Sequence, residues 1–337
     1  MKFGRAAALF LLLALAGCEG VQSALDPDAY QAERIDEIWR LMLWVCAFMY
    51  LLVLAFLGWA LWRGRRRFGP ELVDPLHSPH EKRLHVTMGG WIGLILAGLT
   101  VLTAGSFFVD RQLAHASVRD PVRITITANQ FWWDVRYDFA EPDQMVHTAN
   151  ELHLPVGRPA EILLRSNDVI HSFWVPNLNG KQDLIPGRDN EIFITPKRVG
   201  VYRGQCAEFC GLQHAHMALD VTIDSRVDFE RWLEHQRTLA PEPVAGPAAE
   251  GLYVFESKAC AACHTVAGTQ ANGQVGPNLT HLASRRSIGA GALPYNRGAL
   301  AAWIADTQGV KPGSNMPTVE LSPEQLNALV AYLETLK

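Results

Sequence analysis

The chain lacks any marked excess of charge of one sign. Its 337 residues carry 30 lysines and arginines against 34 aspartates and glutamates, which leaves a net charge of -4 at pH 7. A protein that binds nucleic acid through the phosphate backbone needs a concentrated basic surface. This balance does not favour one, and we expect no nucleic-acid partner.

The chain also lacks cysteines for a structural disulfide, because each of the six falls in a segment that predicts another use. One ends an N-terminal signal, one lies in an apolar run, and two lie in each of two cofactor motifs: Cys18; Cys46; Cys206 and Cys210; Cys260 and Cys263. The sequence shows no general acid–base or nucleophilic constellation. We therefore expect no bond-making chemistry in this chain itself.

A twelve-residue segment, 206–217, gathers sulfur and imidazole side chains. It contains two cysteines together with His214 and Met217, and His171 follows an apolar run upstream. Thiolate, thioether and imidazole together favour copper, and a mononuclear blue-copper site uses only one cysteine. The simplest use of the second thiolate is to bridge two copper ions, which predicts a binuclear electron-transfer centre.

Two alternatives accompany this copper prediction. Two cysteines and two histidines could hold zinc instead, but the methionine and the second redox motif favour copper. His216 lies beside the expected ligand, but the Cys-x3-Cys-x3-His spacing favours His214.

The second motif, Cys-Ala-Ala-Cys-His at 260–264, is typical of covalent c-type haem attachment. Cys260 and Cys263 would form the thioethers, and His264 would be the proximal iron ligand. Met316, within an Asn-Met-Pro sequence, is the candidate sixth ligand, since His/Met ligation raises the haem potential and suits electron transfer. Two redox centres in one chain predict a relay.

The N-terminus is typical of an exported protein. Lys2 and Arg5 precede an apolar run over 6–16, and the run ends in Leu-Ala-Gly-Cys, which resembles a bacterial lipobox. This pattern predicts a lipoprotein-type signal peptide over 1–18 and a lipidated Cys18. An ordinary signal peptide with a chance cysteine is the alternative.

Two later stretches are long enough to span a bilayer, which takes about 20 apolar residues. We predict transmembrane helices over 39–62 and 86–109, with a short periplasmic segment over 19–38. The loop over 63–85 contains six lysines and arginines. Short basic loops stay in the cytoplasm, so both cofactor motifs are expected on the periplasmic or outer side.

Short β-rich segments separated by proline, glycine and asparagine follow: 123–127, 152–156, 161–164, 191–195 and 219–223. They predict an all-β sandwich or barrel over 110–225, with the copper-binding loop between its last two strands. A helix and a Pro/Ala linker are expected over 226–247, and a helical domain over 248–337. Ser322 is the expected N-cap of its last helix.

Taken together, the chain resembles subunit II of a haem-copper cytochrome c oxidase with a fused C-terminal cytochrome c domain, the caa3 type. The resemblance covers nearly the whole chain and rests on the family motif Cys-x-Glu-x-Cys-x3-His-x2-Met and an upstream His-Ser-Phe-Trp-Val-Pro. The matching residues are Cys206, Glu208, Cys210, His214, Met217 and His171. It implies a two-helix transmembrane hairpin, an all-β cupredoxin domain of Greek-key type and an all-α class I cytochrome c domain.

The resemblance also implies roles for these residues. The two cysteines would bridge the copper ions of a CuA centre, and His171 and His214 would each ligate one. Met217 and the backbone carbonyl of Glu208 would be weak ligands. The Glu208 side chain can, in this family, help to hold a magnesium ion at the boundary with subunit I.

Two segments depart from the family pattern. The family often has tryptophan directly after the glutamine of an electron-accepting element, where this chain has Phe131. Trp132 and Trp133 are alternative electron acceptors, and simple packing of the barrel is as good an interpretation. Glu81 matches only loosely a glutamate at the mouth of a proton channel, and we favour a solvated cytoplasmic carboxylate. Tyr253 is expected in the core of the last domain.

The function that the resemblance implies is electron transfer within a terminal oxidase of the bacterial inner membrane. Electrons from cytochrome c would pass through the haem c and CuA to the haem/copper centre of subunit I, where oxygen is reduced to water with proton translocation. The expected partners are subunit I, other oxidase subunits, a cytochrome c donor and membrane lipid. A CuA subunit of a haem-copper nitric oxide reductase is the alternative, and copper delivery by a lipoprotein is disfavoured.

Overall fold

The computed structural model describes residues 20–65, 81–114, 119–141 and 144–337. The chain divides into two compact units, of which one comprises residues 33–117 and the other comprises the segments on either side. The predicted signal peptide, with Cys18, lies outside the described residues. Most of the predicted cytoplasmic loop and the side chain of Glu81 also lie outside them.

Two long helices make up most of the unit at 33–117: α1, Tyr30–Arg65, whose first three residues precede that unit, and α2, Glu81–Ala114. Their most apolar windows have mean hydropathies of 2.5 and 2.1, so both are long and apolar enough to cross a membrane. They pack through small residues, since a Cβ on Gly105 would lie only 2.6 Å from Leu41 Cδ2. The predicted helical hairpin is confirmed, and both helices extend beyond the apolar spans into polar flanks.

Within the described residues, ten strands build the β domain as two five-stranded sheets, in the orders β3-β2-β1-β5-β8 and β4-β10-β9-β6-β7. Their inward residues alternate with outward ones, as along β1, because the two inner faces share one core. The sandwich predicted from the sequence is confirmed. The strands are β1 Val122–Asn129, β2 Trp132–Tyr137, β3 Val146–Ala149, β4 Glu151–Pro155, β5 Ala160–Ser166, β6 His171–Trp174, β7 Gln182–Leu184, β8 Asn190–Ile194, β9 Gly200–Cys206 and β10 Ala218–Asp224.

Three adjacent strands of the second sheet position the cysteine segment. β9 pairs with β6 on one side, with Phe173 opposite Cys206, and with β10 on the other. His171 begins β6 and Cys206 ends β9, so both lie at the same end of the sheet. The intervening loop, 207–217, returns the chain to β10.

The C-terminal part is mainly helical: α3 Arg226–Gln236, α4 Gly246–Ser257, α5 Cys260–Cys263, α6 Arg297–Ala305, α7 Thr307–Val310 and α8 Pro323–Leu333. Ser322 caps α8, because its side chain accepts from Gln325 N and the Gln325 side chain accepts from Ser322 N. This confirms the predicted cap. The helices α4 and α8 approach so closely that a Cβ on Gly251 would lie 2.0 Å from Ala328 O.

Two details of this domain differ from the sequence-based expectation. A two-stranded ribbon, β11 Ser287–Ile288 and β12 Leu293–Pro294, interrupts the helices. It forms because residues 289–291 turn with positive φ, and two-residue strands are too short to give a periodic signal. The expectation of a core position for Tyr253 was wrong, because its side chain is 71% exposed on α4.

Candidate functional site

The loop between β9 and β10 brings the sulfur and imidazole groups of the first motif together. Cys206 Sγ and Cys210 Sγ lie 3.8 Å apart. His171 Nδ1 lies 3.8 Å from Cys206 Sγ, and His214 Nδ1 lies 3.7 Å from Cys210 Sγ. Met217 Sδ lies 3.9 Å from Cys210 Sγ. The cluster therefore contains all five side chains that the sequence singled out.

These distances fit a metal centre. Two donors that bind one ion at about 2.0 to 2.3 Å in tetrahedral geometry lie about 3.3 to 3.8 Å apart. The ligand atoms of His171, Cys206 and Cys210 all lie within 4.8 Å of one another, and the three residues are buried. Glu208 O lies 3.3 Å from Cys206 Sγ, so this carbonyl also borders the cluster. A buried set of thiolates, imidazoles and a thioether suits copper.

An apolar cavity in the C-terminal domain is lined by all four residues of the haem prediction, Cys260, Cys263, His264 and Met316. His264 Nδ1 lies 2.8 Å from Pro277 O, so the Nδ1–H donates to this carbonyl and leaves Nε2 for iron. Burial lowers the pKa of His264, which favours the neutral imidazole that a metal needs. The residues present therefore fit a covalently bound haem.

Comparison with known proteins identifies the family. The family model for the periplasmic domain of cytochrome c oxidase subunit II matches residues 122–224, and the cytochrome c model matches residues 248–337. The chain is 34% identical over 332 residues to cytochrome c oxidase subunit 2 of Alkalihalophilus pseudofirmus, in an alignment that covers 97% of this chain and 95% of that protein. The chain belongs to the cytochrome c oxidase subunit 2 family.

Two further relatives are similar to this subunit. Cytochrome c oxidase subunit 2 of Bacillus sp. (strain PS3) is 33% identical over 293 residues, which cover 81% of this chain and 80% of that protein. The crystal structure of the periplasmic domain of subunit II from Bradyrhizobium japonicum is 27% identical. It covers 36% of this chain and 97% of that chain, with a TM-score of 0.33.

Membership of this family, with a fused cytochrome c domain, decides the function. The chain is an electron-transfer subunit of a haem-copper cytochrome c oxidase, anchored in a membrane by two apolar helices. It carries CuA copper and haem c, accepts electrons from cytochrome c and works with subunit I. The nitric oxide reductase alternative is not favoured, because these relatives are cytochrome c oxidase subunits.

The subunit orients His171 through a residue that the sequence analysis missed. Asp168 Oδ1 lies 2.7 Å from His171 Nε2, so Nδ1 is the ring nitrogen directed at Cys206. Burial opposes protonation of His171, but the contacts with Cys206 and Asp168 outweigh it and raise the pKa of the imidazole. A carboxylate that orients a ligating histidine is a recurrent arrangement, and an aspartate three residues before a candidate ligand was the available signal.

The two thiols differ in acidity because they share a hydrogen bond. The contact with Cys210 lowers the pKa of Cys206, with help from His171, and the same contact raises the pKa of Cys210. Copper binds thiolates, so loading of the subunit must remove the proton that the pair retains.

His216 and the aromatic residues at 131–133 contact different parts of the structure. His216 Nδ1 lies 2.9 Å from Gln213 Oε1, whereas His214 lies beside Cys210. Trp133 is buried in the sandwich and packs edge-on against the His171 ring at 6.3 Å. Phe131 and Trp132 instead line the haem cavity.

Proposed function

We propose specific ligands for the two centres of this oxidase subunit. Cys206 and Cys210 would hold the copper as thiolates together with His171 and His214, and Met217 and the carbonyl of Glu208 would be weaker ligands. Cys260, Cys263, His264 and Met316 would hold the haem. The observation that carries the copper assignment is the spacing of 3.7 to 3.9 Å between neighbouring donor atoms of the cluster.

When bound, the haem and the copper pair would supply two one-electron redox centres in the same chain. The chain's own contribution is to hold the ligand atoms still. Cys206 N donates to Met217 O at 2.9 Å, which joins the two ends of the loop. Ala207 N donates to Ser172 O at 3.0 Å, which ties the start of the loop to β6. A ligand set fixed by strands needs little rearrangement when the charge changes.

The magnesium role of Glu208 is part of the same proposal. Its side chain now accepts a hydrogen bond from Lys181 Nζ at 3.1 Å, and Asp183 lies 3.9 Å from the same ammonium. Both carboxylates are partly exposed. A cation brought by subunit I would replace the Lys181 ammonium as their partner.

We also propose that both cofactor domains face the periplasm or the outer surface. The support is the basic sequence between the two membrane helices, where Arg63 and Arg65 lie in the last turn of α1 and Lys82 lies in the first turn of α2. Trypsin added to intact spheroplasts should release haem-stained fragments of the subunit. Protection in spheroplasts and cleavage in inverted vesicles would place the domains in the cytoplasm instead.

The copper assignment has a matched test in the two neighbouring histidines. His214→Ala should abolish the EPR pattern of an unpaired electron shared by two copper nuclei, and with it oxygen uptake driven by reduced cytochrome c. His216→Ala should retain both, because His216 bonds to Gln213 and not to the cluster. Loss of the EPR pattern in His216→Ala with retention in His214→Ala would show that the ligand assignment is wrong.

A further inference from the structure

Residues from two domains of the same compact unit line the haem cavity. Gln130, Phe131, Trp132 and Asn150 come from the β domain, yet they line the cavity that also contains Met316. The β domain therefore covers part of the haem site. This places residues of the copper-binding domain beside the cofactor of the C-terminal domain.

Three hydrogen bonds attach the loop 311–316, here called the axial loop, to the β domain. Lys311 Nζ donates to Phe131 O at 2.8 Å. Asn315 Nδ2 donates to Gln130 O at 3.1 Å. Gln213 Nε2, from the copper-binding loop, donates to Pro312 O at 2.8 Å.

Gln130 also forms hydrogen bonds with residues of the copper site. Its side-chain Nε2 donates to Cys210 O at 2.6 Å, and its backbone N donates to Asp168 Oδ2 at 2.6 Å. Asp168 in turn holds His171. The fit is close, because a Cβ on Gly211 would lie 3.1 Å from both Gln130 Nε2 and Phe131 Cζ.

Contacts farther along the boundary hold the same arrangement. Ala218 N donates to Ala290 O at 2.9 Å, and Ser287 Oγ donates to Asp220 Oδ2 at 2.5 Å. The buried Arg285 donates to Thr148 Oγ1 at 3.3 Å. Donor–acceptor pairs along the whole boundary favour a docked C-terminal domain over one that moves freely on its Pro/Ala linker.

We propose that Gln130 is a positioning residue for electron transfer into the copper centre. Through the connection Asn315–Gln130–Cys210, this residue fixes the axial loop against the loop 207–217. The inference rests on the ligands assigned under the proposed function. It differs from transfer through an aromatic side chain, because the bonded groups are the amides of Asn315 and Gln130 and the Cys210 carbonyl. It also differs from a tethered shuttle, because the haem domain acts from one docked position.

Two variants interrupt the connection at different points. Gln130→Glu keeps the size of the side chain but replaces the amide donor that faces Cys210 O. Asn315→Ala removes the donor to Gln130 O and leaves the Gln130–Cys210 bond in place. Asn327→Ala, on the exposed face of α8, is the matched control.

The intact oxidase is the sample for two measurements. The first is the rate of electron transfer from flash-reduced haem c to the copper centre, with the potentials of both centres measured on the same samples. The second is hydrogen exchange of the axial loop and of residues 207–217. In both variants the transfer should slow, and exchange should accelerate, by about twofold to tenfold, the range expected for one lost hydrogen bond. Asn327→Ala should change neither.

The outcomes separate the inference from the proposed function. An unchanged transfer rate in both variants, with unchanged potentials, would overturn the role of Gln130 even if exchange accelerates. A wild-type rate that falls with solvent viscosity would overturn the docked arrangement in favour of a mobile domain. Failure of the ligand assignment would show differently, as His214→Ala samples that retain the two-copper EPR pattern.

Discussion

At the scale of single residues, the copper site depends on side chains that hold the ligands as well as on the ligands. Asp168 is the clearest case, since its two carboxylate oxygens contact His171 Nε2 and Gln130 N. A partner of this kind fixes the tautomer and the ring direction of a ligating histidine. Its removal should therefore weaken copper binding without removing a ligand.

Asp168→Asn tests this point because asparagine keeps one acceptor oxygen but loses the charge. We expect the affinity for copper to fall by about 10- to 100-fold, as for other partners of metal-ligating histidines. Competition with a copper chelator on the purified subunit would measure it. Asp189→Asn, which alters an exposed carboxylate bonded to Arg165, should bind copper as wild type does. Equal affinities for the two variants would contradict the role of Asp168.

Lys311 gives a second prediction at this scale. Burial lowers the pKa of its ammonium to about 7, and the proximity of Cys210 offsets this only in part. In an unfolded chain a lysine has a pKa of about 10.4. Between these pH values the unfolded state binds more protons at this site than the folded state does. The free energy of unfolding therefore rises as the pH increases from about 7 to about 10, and it falls again when the pH is lowered through the same range.

Lys311→Met should remove this dependence, because methionine fills the site without titrating. The free energy of unfolding of the C-terminal domain, followed by its haem absorbance in denaturant, should rise by up to about 1.4 kcal/mol per pH unit in wild type and stay flat in the variant. The same slope in both proteins would show that another group titrates.

The candidate ligand residues could be singled out from the sequence because soft-metal and haem motifs are local and chemically distinctive. Asp168 was missed although it lies only three residues before His171, because nothing in the sequence shows that its carboxylate turns back to the imidazole. Lys311 was missed because nothing local marks a lysine as buried, and its role arises only when distant segments meet. Tyr253 shows the converse error, since an aromatic residue in a helix suggests burial and here lies on the solvent face.

At the scale of elements, the apolar spans and the β-rich segments were predictable because each has a period or a length that few other structures share. The Ser322 cap was equally clear, since it depends on residues adjacent in sequence. The β11–β12 ribbon was missed because two-residue strands have no period. The tight α4–α8 contact was not predictable either, because it joins Gly251 to a helix more than seventy residues later.

That contact makes Gly251→Ala a test of the helix packing. A Cβ there would lie 2.0 Å from Ala328 O, and a backbone oxygen in a helix cannot move aside without shifting α8. We expect destabilisation of the haem domain by about 1 to 3 kcal/mol, as for other overpacked sites. Thermal unfolding followed by haem absorbance would measure it. Glu250→Ala, one residue earlier on the exposed face of α4, is the control, and equal melting temperatures would contradict the close packing.

At the scale of the whole molecule, the boundary between the β domain and the haem domain should make them unfold together. Its buried ion pair joins Arg285 Nε to Glu151 Oε1 at 3.5 Å, with both side chains about nine-tenths buried. Arg285 also donates to Asn278 O at 2.6 Å, so its charge is held by one carboxylate and neutral acceptors. Loss of that carboxylate leaves a buried cation without a counter-charge.

Glu151→Gln is therefore expected to destabilise both domains by about 3 to 5 kcal/mol, since one partner of a buried ion pair is lost. Glu161→Gln breaks the exposed pair with Arg123, at 3.3 Å, and should cost less than about 1 kcal/mol. Denaturant unfolding would be followed by the absorbance of the copper centre for the β domain and by haem absorbance for the C-terminal domain. In wild type the two transitions should coincide, and in Glu151→Gln both should shift. A shift confined to the copper transition would mean that the domains are not coupled through this boundary, and that the haem domain is stable without it.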